Sequence, residues 1–347
     1  MKKKSLQITV WFIFLLLPSC ITDEVVTTFF HPDGSFTRIV EFFSDSKDFN
    51  TGDLATPVDS TWKITVMRDT ADTSRYRVRA EKAYAGVEQL NEDYRTMSTV
   101  MEGVKREVSF EKKFMWFYTF YYYQETVYGM LPERPVSDFL TEEELHHLRS
   151  NGEWLPPELE GKDSAAVAAY AQQAEAHFQT WLGNSLFDLW WNGMKQVVTD
   201  HPSGNFTPAR LLAAEDSLRT AYLKALQEFI PGRGFSRYFG EHFGISSDTL
   251  ESRYPEAFER YKKITDSSVI LAAYENRVVM PGKVYDTNAD RMEKEKLVWS
   301  VNAMRFLPGD LDMFAASRIP NYWAWLIALF VIIFAVVMFF PEKKERS

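Results

Sequence analysis

The stretch "YWAWLIALFVIIFAVVMFF", residues 322–340, runs for 19 positions without a charge. No other feature constrains the chain as strongly. A bilayer core takes a helix of about 20 apolar residues, and this segment matches that length. A helix apolar on every side, placed at a chain end, has no core to bury it, so a transmembrane helix is expected over residues 318–341. Pro320 and Asn321 mark its outer boundary, and Tyr322, Trp323 and Trp325 fall where aromatic rings favour a membrane interface. Lys343, Lys344 and Arg346 in the tail, residues 342–347, predict a cytoplasmic C-terminus.

The other end reads as a second anchor. Lys2, Lys3 and Lys4 precede an apolar run that closes on "LLLPSC", with Leu17 three residues before Cys20 and small Ser19 beside it. Residues 6–18 are too few to span comfortably, which favours a lipoprotein signal peptide over residues 1–19 and acylation, as by palmitate, of Cys20. An uncleaved anchor, or a chance cysteine near an ordinary cleavage site, are the alternatives. Acyl chains contribute about 0.8 kcal/mol per buried methylene, so two or three already hold firmly. The helix must therefore select a membrane or fix a geometry. Both anchors then place the main domain on the extracytoplasmic side of a bacterial cytoplasmic membrane, because outer membranes mostly hold barrels.

Composition narrows the rest. A net charge of −9 makes nucleic acid an improbable partner. With Cys20 as the lipid site no cysteine remains for a disulfide, and 15% aromatic residues supply a core instead.

Two β-rich runs in residues 25–43 flank His31-Pro32-Asp33-Gly34-Ser35, which reads as a hairpin turn. Strands are expected at residues 61–67 and 75–83, and a short helix at 87–97. In "FMWFYTFYYY" the alternation places Phe114, Trp116, Tyr118, Phe120 and Tyr122 on one face of a single extended strand. That face is a candidate apolar binding surface, and a strand covered on both sides is the plainer reading. From Pro132 onward the pattern turns helical. Thr141 and Glu144 form a capping box, residues 163–198 read as a helix broken or bent at Gly183-Asn184, and Thr207-Pro208 opens another helix reaching to the Pro231-Gly232 break. "PGRGFSRYFGEHFG" reads as a glycine-rich interhelical loop. Strands return at residues 268–279, 283–285, 296–301 and 313–317.

The expected fold is α+β: a membrane-proximal antiparallel β-rich domain from residues 20–131 and 266–317, a helical insertion over 132–265, and the C-terminal transmembrane helix. Putting the early and late strands into one sheet is the simplest arrangement.

The lipobox at Leu17 to Cys20, Pro32 to Ser35, Pro281-Gly282, Asn288-Ala289, Trp299 and the apolar helix after Pro320 together resemble LppM-like bacterial lipoproteins. The resemblance covers the two β-rich ends and not the helical middle. It implies an envelope module associated with membrane lipid, and it carries over no catalytic residue.

Chemistry is harder to find. Glu143 and His147 stand one helical turn apart and Glu175 two residues before His177, neither with metal-ligand spacing. No nucleophile elbow occurs, and Asp310 and Asp312 read as loop residues. No cofactor and no metal are expected. The expectation is a non-enzymatic, doubly anchored envelope lipoprotein whose partner is membrane lipid. The alternative is an accessory or scaffold subunit of a membrane protein complex, and an envelope hydrolase has the least support.

Overall fold

The computed structural model describes residues 24–339 apart from 71, 132, 151–163, 203, 205, 228–232, 266–268 and 270–271. Cys20, the expected signal segment and the tail therefore lie outside the described residues. The fold is mixed α+β, and its strands form two sheets rather than one.

In chain order come β1 (Val25–Phe30), β2 (Phe36–Ser44), β3 (Lys63–Arg68), β4 (Tyr76–Tyr84) and helix α1 (Val87–Thr96). The hairpin β5 (Arg106–Met115) and β6 (Tyr118–Val127) follows. Helices α2 (Glu142–Ser150), α3 (Ser164–Asp200), α4 (Pro208–Ala213), α5 (Glu215–Gln227), α6 (Arg233–Phe243), α7 (Ser247–Arg253) and α8 (Glu259–Thr265) make the middle block. The chain ends with β7 (Ala273–Val279), β8 (Lys283–Thr287), β9 (Arg291–Glu293), β10 (Lys296–Asn302), α9 (Ala303–Phe306), β11 (Leu311–Pro320) and α10 (Tyr322–Phe339).

The larger sheet has the order β3-β4-β2-β1-β7-β10-β9, and the smaller has β5-β6-β11-β8. Early and late strands do share a sheet, but they join through β1 and β7 in parallel, so the domain is not wholly antiparallel. A parallel pair needs a long crossover, and the helical block lies within this one.

The sheets pack face to face. Phe30 stacks on Phe110 at 4.3 Å, and Tyr123 meets Phe30 and Trp299 at 5.5 and 6.0 Å. A buried carboxylate joins the two layers. Glu125 of β6 accepts from Tyr123 (2.8 Å) and from Tyr94 of α1 (3.0 Å). Arg38 of β2 donates to Tyr94 (2.7 Å) and stands 4.0 Å from Glu125, and Asn276 of β7 donates to Glu125 and to the Tyr123 hydroxyl. Burial drives the Tyr94 and Tyr123 hydroxyls well above the usual phenol range, so both remain donors. At the β5 edge Asn91 of α1 exchanges two 2.8 Å hydrogen bonds with Val108, which covers backbone groups that would otherwise template aggregation.

In the helical block, Phe187 and Trp190 of α3 pack on Tyr222, Phe235 and Phe239. No break occurs at Gly183-Asn184, and α3 runs continuously for 37 residues. Gly183 instead admits Leu223, whose Cδ2 would lie 2.8 Å from any added Cβ. The glycine-rich stretch is largely helix, because Phe235, Phe239 and Phe243 recur at helical spacing and are all buried. The helix expected after Thr207-Pro208 is two, α4 and α5.

The capping box at α2 forms in both directions. Glu144 N–H donates to Thr141 Oγ1 (3.2 Å), and Thr141 N–H donates to the Glu144 carboxylate (2.8 Å). That carboxylate also meets His177 of α3 at 3.0 Å.

The block sits at one end of the sandwich and α10 at the other. β6 leaves for the helices at Val127, opposite Arg106 and Leu311, whereas Tyr118 lies opposite Met115 and Pro320. Nine residue steps of strand separate those ends, about 30 Å. Glu24, just before β1, also lies at the helical end, where it is close enough to Arg106 for its carboxyl to feel that charge.

Two outcomes follow from these contacts. Replacing Arg38 with Met leaves Glu125 buried against a lost cation and is expected to remove about 3 kcal/mol of stability in urea titration, part of which returns in the Arg38→Met/Glu125→Gln double variant. The second concerns acid. Burial acts to raise the Glu144 carboxyl, but the Thr141 amide and His177 outweigh it and hold it below its ordinary value of 4.5. A depressed carboxyl stabilises the fold above the unfolded value and ceases to do so as pH falls through the folded one. Thermal melts are therefore expected to show wild type losing more stability than Glu144→Gln between pH 5 and 3.

Candidate functional site

The aromatic run is a hairpin and not one strand. β5 ends at Met115, Trp116 and Phe117 make the turn, and β6 starts at Tyr118. Directly paired residues share a face, so Phe114 lies with Thr119, opposite in sense to Tyr118. Of the candidate binding face, Tyr118, Phe120 and Tyr122 do lie together, half-buried on the outward side of the smaller sheet, and Trp116 projects from the turn. Tyr121 and Tyr123 fill the interior and are each 2% exposed.

Asn321 holds the turn against α10. Its N–H donates to the Phe117 carbonyl (2.8 Å), and its side-chain amide donates to those of Met115 (3.1 Å) and Trp116 (3.2 Å). Its Oδ1 accepts the Thr119 hydroxyl (3.0 Å), while its own carbonyl takes Ala324 N–H (2.9 Å) in the first turn of α10. One side chain thus satisfies a tight turn that contains no Gly, Asn or Pro, and ties it to the helix start.

Aromatic rings close the same junction from both sides. Trp323 stacks with Phe114 (6.2 Å) and meets Trp116 edge-on (5.3 Å), while Trp325 contacts Phe117 (4.5 Å) and Tyr118 (6.2 Å). The three interface residues expected from sequence, Tyr322, Trp323 and Trp325, therefore fall beside the hairpin tip. Even so, Phe114, Met115 and Trp116 are 59%, 60% and 51% exposed, and Tyr322 is 73% exposed. Beyond Ala324 no residue of α10 is buried. The helix has a mean hydropathy of 2.6 and is long and apolar enough to cross a membrane.

Above the tip the outward face is both aromatic and basic. Arg318 lies over the rings of Tyr118 (4.8 Å) and Tyr285 (5.8 Å), Lys113 lies over Tyr122 (5.1 Å), and Phe120 meets Tyr285 edge-on (5.9 Å). Partial burial and the hydrogen bond with Tyr122 push the Tyr285 hydroxyl up to about 12. Gly282, at φ +77°, permits the close approach of β8 to β11, since a Cβ there would sit 2.5 Å from the Arg318 carbonyl oxygen. Neither Tyr285 nor Gly282 is apparent from the aromatic run alone. Only their placement beside Arg318 brings them into the site.

The acidic residues near Pro308-Gly309 are engaged by the fold. Asp290 is bonded to Arg305 and the Ser300 amide, both at 2.7 Å, Asp310 to the Gly129 amide (2.8 Å) and Asp312 to the Thr126 hydroxyl (2.6 Å). Among the described residues no group of three His, Cys, Asp or Glu side chains could hold a metal ion.

No protein-family model matches the chain, and neither a curated protein nor a solved structure does. The site accordingly rests on its own geometry.

Asn321→Ala removes three side-chain hydrogen bonds at once. It is expected to cost about 2 kcal/mol locally and to speed amide exchange at residues 116–119, with exchange at Tyr123 in the core unchanged.

Proposed function

We propose that the protein is a doubly anchored bacterial envelope lipoprotein whose non-enzymatic extracytoplasmic domain contacts lipid at the surface of the cytoplasmic membrane. One observation carries the reading: the exposed aromatic hairpin tip is clasped to the first turn of the apolar helix. A helix crossing the bilayer brings Phe114, Met115, Trp116, Tyr322, Trp323 and Trp325 to headgroup depth, where amphipathic rings are favoured. Cys20, acylated behind its lipobox, supplies the second anchor, and the basic tail keeps the C-terminus in the cytoplasm.

In this reading the aromatic face is an open surface and not the wall of an internal pocket, since Tyr121 and Tyr123 on its reverse are packed in the core. Lipid is met at the tip and along the outward side of the sheet. The alternative, an accessory subunit docking through its helical block, receives less support. Among the described residues that block exposes only one large apolar side chain, Leu212. A hydrolase needs converging titratable groups free to act, and Asp290, Asp310 and Asp312 are already committed to structural bonds.

The test uses the full chain in lipid nanodiscs, labelled with an environment-sensitive fluorophore at Trp116→Cys or at Leu212→Cys in a Cys20→Ser background. Headgroup-depth nitroxide lipids are expected to quench the label at 116 strongly and the label at 212 little. Equal, weak quenching at both positions would place the tip in water and sink the proposal.

A further inference from the structure

The outward side chains of the smaller sheet fall into rows that climb away from α10, each about 7 Å above the last. Register puts Met115, Tyr118 and Pro320 in the first row, at the tip. The second row holds Lys113, Phe120, Arg318 and Lys283, and the third Glu111, Tyr122, Ala316 and Asp286. Charge is thus sorted by height, with a cationic row just above the aromatic tip and acidic residues only beyond it.

Two of these cations are unneutralised. Lys113 pairs with Glu111 at 3.1 Å, but among the described residues no ion pair holds Arg318 or Lys283. Arg318 and Lys283 are direct cross-strand partners, both exposed. Like charges placed opposite one another destabilise a sheet. What sets this pair apart in a chain of net charge −9 is the juxtaposition of two positive charges on neighbouring strands, beside the aromatic rings of the tip. The Tyr118 and Tyr285 rings flank Arg318 and hold its guanidinium toward the outward side.

We propose that Arg318 and Lys283, between the Tyr118 and Tyr285 rings, bind the phosphate groups of anionic phospholipids in the leaflet that α10 enters. The assignment rests on the tip being seated at the bilayer surface, as proposed above. Continuity with the apolar helix selects the lipid: one row above rings at interfacial depth is where the phosphates of that leaflet lie. Arg318 offers several N–H donors in one plane and Lys283 a point charge, a pairing suited to a phosphodiester. The third row, with Glu111 and Asp286, bounds the site and repels anions from the rest of the face.

The chain is reconstituted in mixed phosphatidylcholine–phosphatidylglycerol nanodiscs, and the lipids retained on release are counted by native mass spectrometry. Wild type is expected to retain phosphatidylglycerol roughly fivefold over its share of the disc. Arg318→Gln/Lys283→Gln is expected to fall to parity with an unchanged or raised melting temperature. Neutralising Lys343, Lys344 and Arg346 in the tail is expected to leave the enrichment in place. Parity in wild type overturns the proposal, as does enrichment that survives in the double variant or disappears with the tail charges. Inorganic phosphate protecting the two side chains in discs that show no enrichment would make this a free-anion site, and would equally overturn it. Quenching of the label at residue 116, measured in the same double variant, separates the two ideas: quenched without enrichment refutes only the phosphate site, and unquenched refutes the seating beneath it.

Discussion

A single buried carboxylate, Glu125, ties the two sheets together. Its contacts reach β2 through Arg38, α1 through Tyr94, its own strand through Tyr123, and β7 through Asn276. Charge in an apolar interior is tolerated only when partners meet it, and the partners here come from segments far apart in sequence. The sandwich therefore closes in one register. Because side chains alternate along a strand, that register also decides which half of β6 looks outward. Tyr123 and Glu125 facing in places Tyr118, Phe120 and Tyr122 facing out, and β11 inherits the same phase with Arg318 exposed.

Local signals in the sequence were legible where a few neighbouring residues decide the outcome. The Pro-Asp-Gly turn between β1 and β2, the reciprocal cap at Thr141 and Glu144, the Thr207 cap and the apolar terminal helix are of this kind. The aromatic run reads as one strand because its turn carries no turn residue. Trp116 and Phe117 reverse the chain on bonds supplied by Asn321, some two hundred positions later, and no window can anticipate such a partner. Gly183 and the glycines of α6 misled for the opposite reason. Glycine reads as a breaker, yet at position 183 its missing side chain makes room for Leu223. In α6 the buried Phe235, Phe239 and Phe243 override the local preference. That phenylalanine spacing was there to be counted. The parallel pairing of β1 with β7 and the split into two sheets were beyond local reading, since both depend on where the crossover returns.

The site itself was half visible. Trp116, Tyr118, Phe120 and Tyr122, with Tyr322, Trp323 and Trp325, could be picked out as aromatic groups at two distant places. What could not be seen was that they form one structure. Folding brings the hairpin tip to the helix start, and it sorts the charges of β5, β8 and β11 into rows that are invisible along the chain. An acidic protein approaching an anionic surface is repelled as a whole. In the proposed setting, a local cationic row beside the helix would reverse that repulsion at one edge only, and so favour one way of approaching.

β1 begins at the end of the sandwich that carries the helical block, while β11 leaves from the opposite end. Cys20 stands four positions before Glu24, and four steps of extended chain reach only about 14 Å. The sandwich is about twice that long. If Cys20 carries the proposed lipid, that lipid and the helix after Pro320 would pull on opposite ends of the sandwich. With both in the same bilayer the body would lean over about its seated aromatic tip; freed of the lipid, it could stand upright on that tip. Acylation of one cysteine would then govern posture as well as attachment, and with it how far the helical block stands from the membrane.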